Sequence, residues 1–159
     1  MSKNVNLFTP DMKFNHYRDI TADFLLKQNI KGILTDLDDT LVSHNHPEPD
    51  EELLSWIKSL KDAGINICII SNNRYKRAAP FAEKIGVAFL CNSLKPSRYF
   101  YRKGLEVLNL RKEECAFIGD QIYTDIKGAK KCGIKAFLVE PIGTKSTLFI
   151  KLKRKFEKR

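Results

Sequence analysis

A parallel β-sheet with helices on both faces is the architecture this sequence predicts. Short apolar runs at residues 33–35, 65–70, 116–118 and 136–139, with a weaker one at 87–90, lie beside glycine or polar turn residues. Each is too short for a buried helix, so each reads as a buried strand. Segments of helical periodicity separate the runs, and strands alternating with helices give a parallel sheet joined by right-handed crossovers. The 159 residues make one domain of ordinary size, which can bury roughly 68–70% of its unfolded surface without disulfides or a structural metal.

Taken in order, strand 33–35 runs into an aspartate-rich loop. A helix follows, with Leu53, Ile57 and Leu60 at i, i+4 and i+7, started by Pro49 and Asp50 and stopped by Gly64. Strand 65–70 leads to a second helix within residues 74–85. Pro80 falls inside that stretch, and because proline is tolerated only in a first turn, the regular part is expected to begin near Ala78. After strand 87–90, Pro96 opens a third helix reaching Leu108, and after strand 116–118 a fourth runs from Thr124 to Cys132, before Gly133. Strand 136–139 closes the series. No repeat, low-complexity segment or linker divides the chain, so residues 1–144 form the expected core with a short N-terminal extension, and residues 145–159 stand apart as a basic amphipathic helix.

Composition narrows the functional classes. Cys68, Cys91, Cys115 and Cys132 include no CxxC pair, and three of them lie among apolar neighbours, as reduced thiols of a cytoplasmic protein do. The start lacks the apolar stretch of a signal peptide, and no apolar run approaches the ~20 residues of a spanning helix. The net charge of +9 points to an acidic partner.

The informative residues follow the strands, where a doubly wound sheet binds its ligands. They are Asp36-Leu37-Asp38-Asp39-Thr40, Ser71-Asn72-Asn73, Lys95-Pro96, and Gly119-Asp120 with Asp125 five further on. Phosphoryl transfer needs each type. An anionic ester repels a carboxylate nucleophile, so charge must be offset and the atoms held in line before Asp36 attacks. Mg2+ prefers oxygen ligands; Asp36 and Asp120 supply carboxylates, with Asp125 reached directly or through water and the Asp38 carbonyl as a further ligand. Ser71 and nearby backbone N–H groups suit the phosphoryl oxygens, and Lys95 suits charge developing in the transition state. Asp38 remains for proton transfer to the leaving alkoxide and from the hydrolytic water. A DxD taken alone is commonly a turn or cap, and Asp120 and Asp125 also suit the first turn of the helix after them. Four groups in register assign Asp120 to metal and leave both readings of Asp125 standing. His44 and His46 lack a third ligand and read as a loop over the site.

DLDDT, the serine of ISNN, the Lys-Pro pair and GDQIYTD resemble the four motifs of the haloacid dehalogenase (HAD) superfamily, in order, across nearly all of residues 32–141. KGILTDLDDTL and IGDQIYTDIKGAKKCGIKAFLVEPI are similar to its subfamily IIIA, YqeG-like group, which includes phosphatidylglycerophosphate phosphatases. The resemblance implies a three-layer, Rossmann-like HAD fold and a phosphatase with its nucleophile at Asp36 and its acid/base at Asp38. It further implies phosphate contacts at Ser71 and Asn72, a charge-neutralising Lys95, and Mg2+ ligands at Asp36, Asp38, Asp120 and Asp125.

Neither place where such enzymes insert a cap domain has room for one here, and an open site suits a substrate whose bulk stays outside. Residues 145–159 hold seven Lys or Arg against one Glu, with Leu148, Leu152 and Phe156 at i, i+4 and i+8. That pattern suits an anionic membrane surface and favours a phospholipid monoester, with the protein peripheral on the inner face of the membrane. Equally, the apolar stripe can pack on the domain. Nucleic acid is disfavoured because no basic strip with interleaved aromatics is present, so a polynucleotide 3′-phosphatase and a soluble sugar or nucleotide phosphatase stand as alternatives. A phosphoacceptor signalling module would use similar residues but accept phosphate after a middle strand. Oligomeric state is not legible.

Overall fold

In the computed structural model, which describes residues 6–46 and 48–143, six parallel strands form one sheet in the order β1-β6-β5-β2-β3-β4. The elements are β1 (Met12–Phe14), α1 (Ala22–Lys27), β2 (Gly32–Thr35), α2 (Glu51–Asp62), β3 (Asn66–Ile70), α3 (Tyr75–Ile85), β4 (Ala88–Leu90), α4 (Arg98–Leu108), β5 (Cys115–Gly119), α5 (Lys127–Lys131) and β6 (Lys135–Val139). The predicted α/β class with helices on both faces is the observed one, and among the described residues no large cap interrupts it. The basic segment 145–159 lies outside the described residues.

Side chains of successive strand residues point to opposite faces, and the sheet therefore carries two cores. Ile33, Ile67, Ile69, Ala116 and Ile118 join Leu53, Ile57 and Leu60 of α2 and Phe81 of α3 on one face. Leu34, Cys68, Ile70, Cys115 and Phe117 join Tyr101 of α4 and Ala129 of α5 on the other. Both faces of the central strands are apolar, which is why those strands read as continuous runs rather than alternating ones. The N-terminal extension is part of this body: β1 pairs with β6, and Ile20 accepts a hydrogen bond from the indole of Trp56 at 2.9 Å.

Two helices depart from expectation. Helix α3 starts at Tyr75 and not near Ala78, with Pro80 in its sixth position. Pro80 and Lys76 are both exposed, so water can satisfy the Lys76 carbonyl that an N–H at position 80 would have met. The helix expected over 124–132 opens instead with a π-helical turn, Ile122–Ile126, before α5. That turn presents an active-site carboxylate.

Candidate active site

The carboxyl ends of β2, β3, β4 and β5 surround a cleft of about 250 Å3. Strand β2 lies between β3 and β5, so the chain order reverses beside it and a crevice opens at its end. Asp36 sits there. Its N–H donates to the Ile118 carbonyl at 3.0 Å, carrying the β2–β5 ladder one residue beyond the strand and fixing the backbone that bears the carboxylate.

Lys95 reaches the same point from the loop after β4. Its ammonium lies 2.8 Å from Asp36 Oδ1 and 2.8 Å from Asp125 Oδ1. Burial alone would disfavour the ammonium, but Asp125 and Asp36 outweigh it and raise the Lys95 pKa. Asp125 is wholly buried, its second oxygen accepting from the Gln121 N–H at 3.2 Å. Burial, followed by the charge of Asp36, pushes its pKa up to about 6 against the pull of Lys95. The π turn aims Asp125 inward over Gly119, whose added Cβ would lie 2.4 Å from the Asp125 Cβ. Only glycine permits that approach.

Asp36, Asp120 and Asp125 each offer a carboxylate oxygen, all within 4.8 Å of one another. Three hard oxygen donors converging at one point fit a divalent cation. The Thr40 hydroxyl lies 3.3 Å from Asp36 and 3.1 Å from Asp120, bridging two of them. Asp38, also expected among the ligands, turns its carboxylate elsewhere: Oδ1 accepts from Arg77 at 2.8 Å and Oδ2 from the Asn73 amide. Asp38 lines the cleft, and its backbone carbonyl is the metal donor the sequence leads one to expect.

Ser71 is buried at the end of β3, and its Oγ accepts from the Asn73 N–H at 3.0 Å. Asn72 lines the cleft, yet its side-chain oxygen accepts from Ser93 Oγ at 3.0 Å and from the Lys95 N–H at 2.9 Å. It thereby holds the loop that delivers Lys95, in addition to the phosphate contact expected of it. His44 is drawn back onto Asp39, whose Oδ1 lies 2.8 Å from His44 Nδ1 and 3.1 Å from its N–H. Among the described residues neither His44 nor His46 belongs to a group able to hold a metal.

Sequence reasoning missed Ser93 and Arg77. Ser93 carries no motif signal. Arg77 had one: with α3 starting at Tyr75 it falls in the first turn beside Asp38, and the late start inferred from Pro80 concealed that position.

Comparison with known proteins gives the family and the fold. The sequence pattern of the haloacid dehalogenase-like hydrolases matches residues 45–133. A Bacillus subtilis (strain 168) protein named "Probable phosphatase YqeG" is 34% identical over 152 residues, spanning 96% of this chain and 88% of that protein. Among solved structures, a cobalt-bound deoxy-D-mannose-octulosonate 8-phosphate phosphatase from Haemophilus influenzae superposes with a TM-score of 0.58 at 18% identity, covering 79% of this chain and 75% of that one. A Vibrio cholerae structure described as an octulosonate 8-phosphate phosphatase gives 0.57 at 18% identity, over 81% and 75%. At those identities the two structures share the fold with this chain.

Proposed function

The chain belongs to the haloacid dehalogenase-like hydrolases and is a phosphoric monoester hydrolase, and from that premise we propose that it is a Mg2+-dependent phosphatase acting on phosphatidylglycerophosphate through a phosphoaspartate at Asp36. The observation that carries this reading is the meeting, in one cleft, of Asp36, Asp38, Ser71 and Lys95. Asp36, Asp120, Asp125 and the Asp38 carbonyl would hold a divalent cation, whose charge would offset that of the phosphate. An Asp36 oxygen attacks phosphorus as the ester P–O bond breaks, and Asp38 protonates the departing alkoxide. Water then attacks the phosphoaspartate, Asp38 takes its proton, and inorganic phosphate leaves with Asp36 restored. Ser71, its neighbouring N–H groups and Lys95 hold the phosphoryl oxygens throughout.

The rim of the cleft favours a lipid. Tyr75, Leu94 and Tyr123 are 64%, 76% and 44% exposed, and each lies within two residues of a cleft-lining position. Phe8, 41% exposed, packs on Tyr123 at 5.5 Å, and Lys127 lies over its ring. Large apolar side chains beside basic ones around an active-site mouth suit the headgroup level of an anionic bilayer.

A phosphate-release panel tests both halves. With Mg2+, phosphatidylglycerophosphate in anionic vesicles should be hydrolysed faster than sugar phosphates, nucleotides or 3′-phosphorylated oligonucleotides. Asp36→Asn should abolish turnover of every ester, and Asp38→Asn should cost about 10²–10⁴-fold, less on nitrophenyl phosphate, whose leaving group needs no proton. A preference for a soluble ester overturns the lipid assignment. Substantial activity in Asp36→Asn overturns the covalent mechanism.

A further inference from the structure

A second cavity, about 220 Å3, lies along α3 and is lined by Glu48, Lys76, Arg77, Pro80, Phe81 and Lys84. An ion pair links it to the catalytic cleft: Arg77 lines this cavity, Asp38 lines the cleft, and they meet at 2.8 Å. Three of its lining side chains are cationic and one is a carboxylate. Phe81 also lines it, and the Arg77 guanidinium lies over the Phe81 ring, 5.3 Å from ring centre to Cζ. Glu48 pairs with Lys84, both side chains more than half exposed. An ion pair so exposed is weak and easily exchanged for a better anion.

We propose that this cavity binds a second phosphate of the substrate, a diester carried on the leaving group a short polyol away from the monoester that is cleaved. The proposal rests on the phosphatase reading above. Position carries it. The cavity adjoins Asp38, the residue placed to protonate the leaving oxygen, so whatever extends from that oxygen passes Arg77. A planar guanidinium flanked by two ammonium groups suits a phosphate diester. A glycerophosphoglycerol headgroup has that chemistry, with its acyl chains beyond the diester and outside the protein.

Kinetics on soluble probes test it in the full chain with Mg2+. The probes are the deacylated headgroup, glycerophosphoglycerol phosphate, glycerol 3-phosphate, and a 3′-phosphorylated dinucleotide. The readout is the ratio of kcat/KM on the headgroup to that on glycerol 3-phosphate, so a general loss cancels. The substitutions fall on exposed side chains and leave Arg77 in contact with Asp38. Lys76→Met with Lys84→Met should lower the ratio about five- to tenfold, Glu48→Gln should raise it, and the wild-type ratio should fall as salt is added. A wild-type ratio near one, or a ratio the lysine variant leaves unchanged, overturns the anion site. A higher kcat/KM on the dinucleotide than on the headgroup overturns the glycerol assignment. Absence of nitrophenyl phosphate turnover would instead refute the phosphatase reading, which separates the two failures.

Discussion

Lys95 holds two carboxylates that could not otherwise stand so near each other. Asp125 is wholly buried and Lys95 nearly so, and removing one member of a buried pair leaves an unpaired charge that costs about 3–5 kcal/mol. Lys95→Met should therefore lower the melting temperature of the metal-free protein by roughly 10 °C, taking ~2–4 °C per kcal/mol for a chain of this size. Adding Asp125→Leu to Lys95→Met should recover part of that loss, because an apolar pair of similar volume is often as stable as an ionic one. Calorimetry with a chelator present reads both. If Lys95→Met melts with the wild type, Asp125 is not dependent on Lys95 for its burial. Burial and Asp36 already favour the protonated form of Asp125, and without the ammonium that preference would strengthen, so the loss in Lys95→Met should grow as pH rises and the carboxyl must ionise.

At the scale of elements, helix α4 braces the turn that aims Asp125. Tyr101 of α4 is fully buried, and its hydroxyl donates to the Thr124 carbonyl at 2.8 Å. Gly128 of α5 lies against that ring, where an added Cβ would meet its atoms at 2.3 Å. In an exposed helix Gly→Ala gains about 1 kcal/mol, but overpacking costs roughly 1–3 kcal/mol. Gly128→Ala should therefore be destabilised in urea, and should lose kcat even where fully folded because the displaced ring shifts residues 122–126. Unchanged kcat in the folded variant would separate this contact from the site. Such a contact was invisible in the sequence, although the strands flanking it were legible. Buried parallel strands must be apolar on both faces, so residues 33–35 and 116–118 announced themselves, and the polar residues after them marked the site. Strand β1 has three residues and α1 six, too few for a period to emerge. The π turn eluded the reading because Ile122 and Ile126 keep the i, i+4 spacing of an ordinary helix. Asp38's turn toward Arg77 depended on a tertiary contact that no local pattern encodes.

For the whole molecule, the proposed lipid substrate raises the question of what would hold the cleft at a bilayer. Among the described residues no helix is long and apolar enough to cross a membrane; the proposed attachment would draw on the rim and on the basic residues 145–159. Leu94 is the sharper probe of the rim. It adopts a left-handed φ of 49° with a side chain 76% exposed, a conformation Asn tolerates better than Leu. Leu94→Asn should thus leave the fold as stable or more so while removing up to about 1.5–3 kcal/mol of apolar burial in the membrane, and Tyr75→Ser removes a second exposed side chain near the cleft. The seven Lys and Arg of residues 145–159 would act instead through charge, on the order of 1 kcal/mol each near an anionic surface. The two sources differ in their response to salt, because at about 1 M the Debye length falls to ~3 Å while apolar burial persists. In sedimentation with anionic vesicles, removal of residues 145–159 should abolish the binding that salt weakens and leave a salt-resistant remainder. Leu94→Asn with Tyr75→Ser should do the converse, keeping binding at low salt and losing it at high salt. A rim variant that binds as the wild type does at high salt would show that Tyr75 and Leu94 do not enter the membrane. Salt-independent binding of the full chain would show that residues 145–159 do not act by charge.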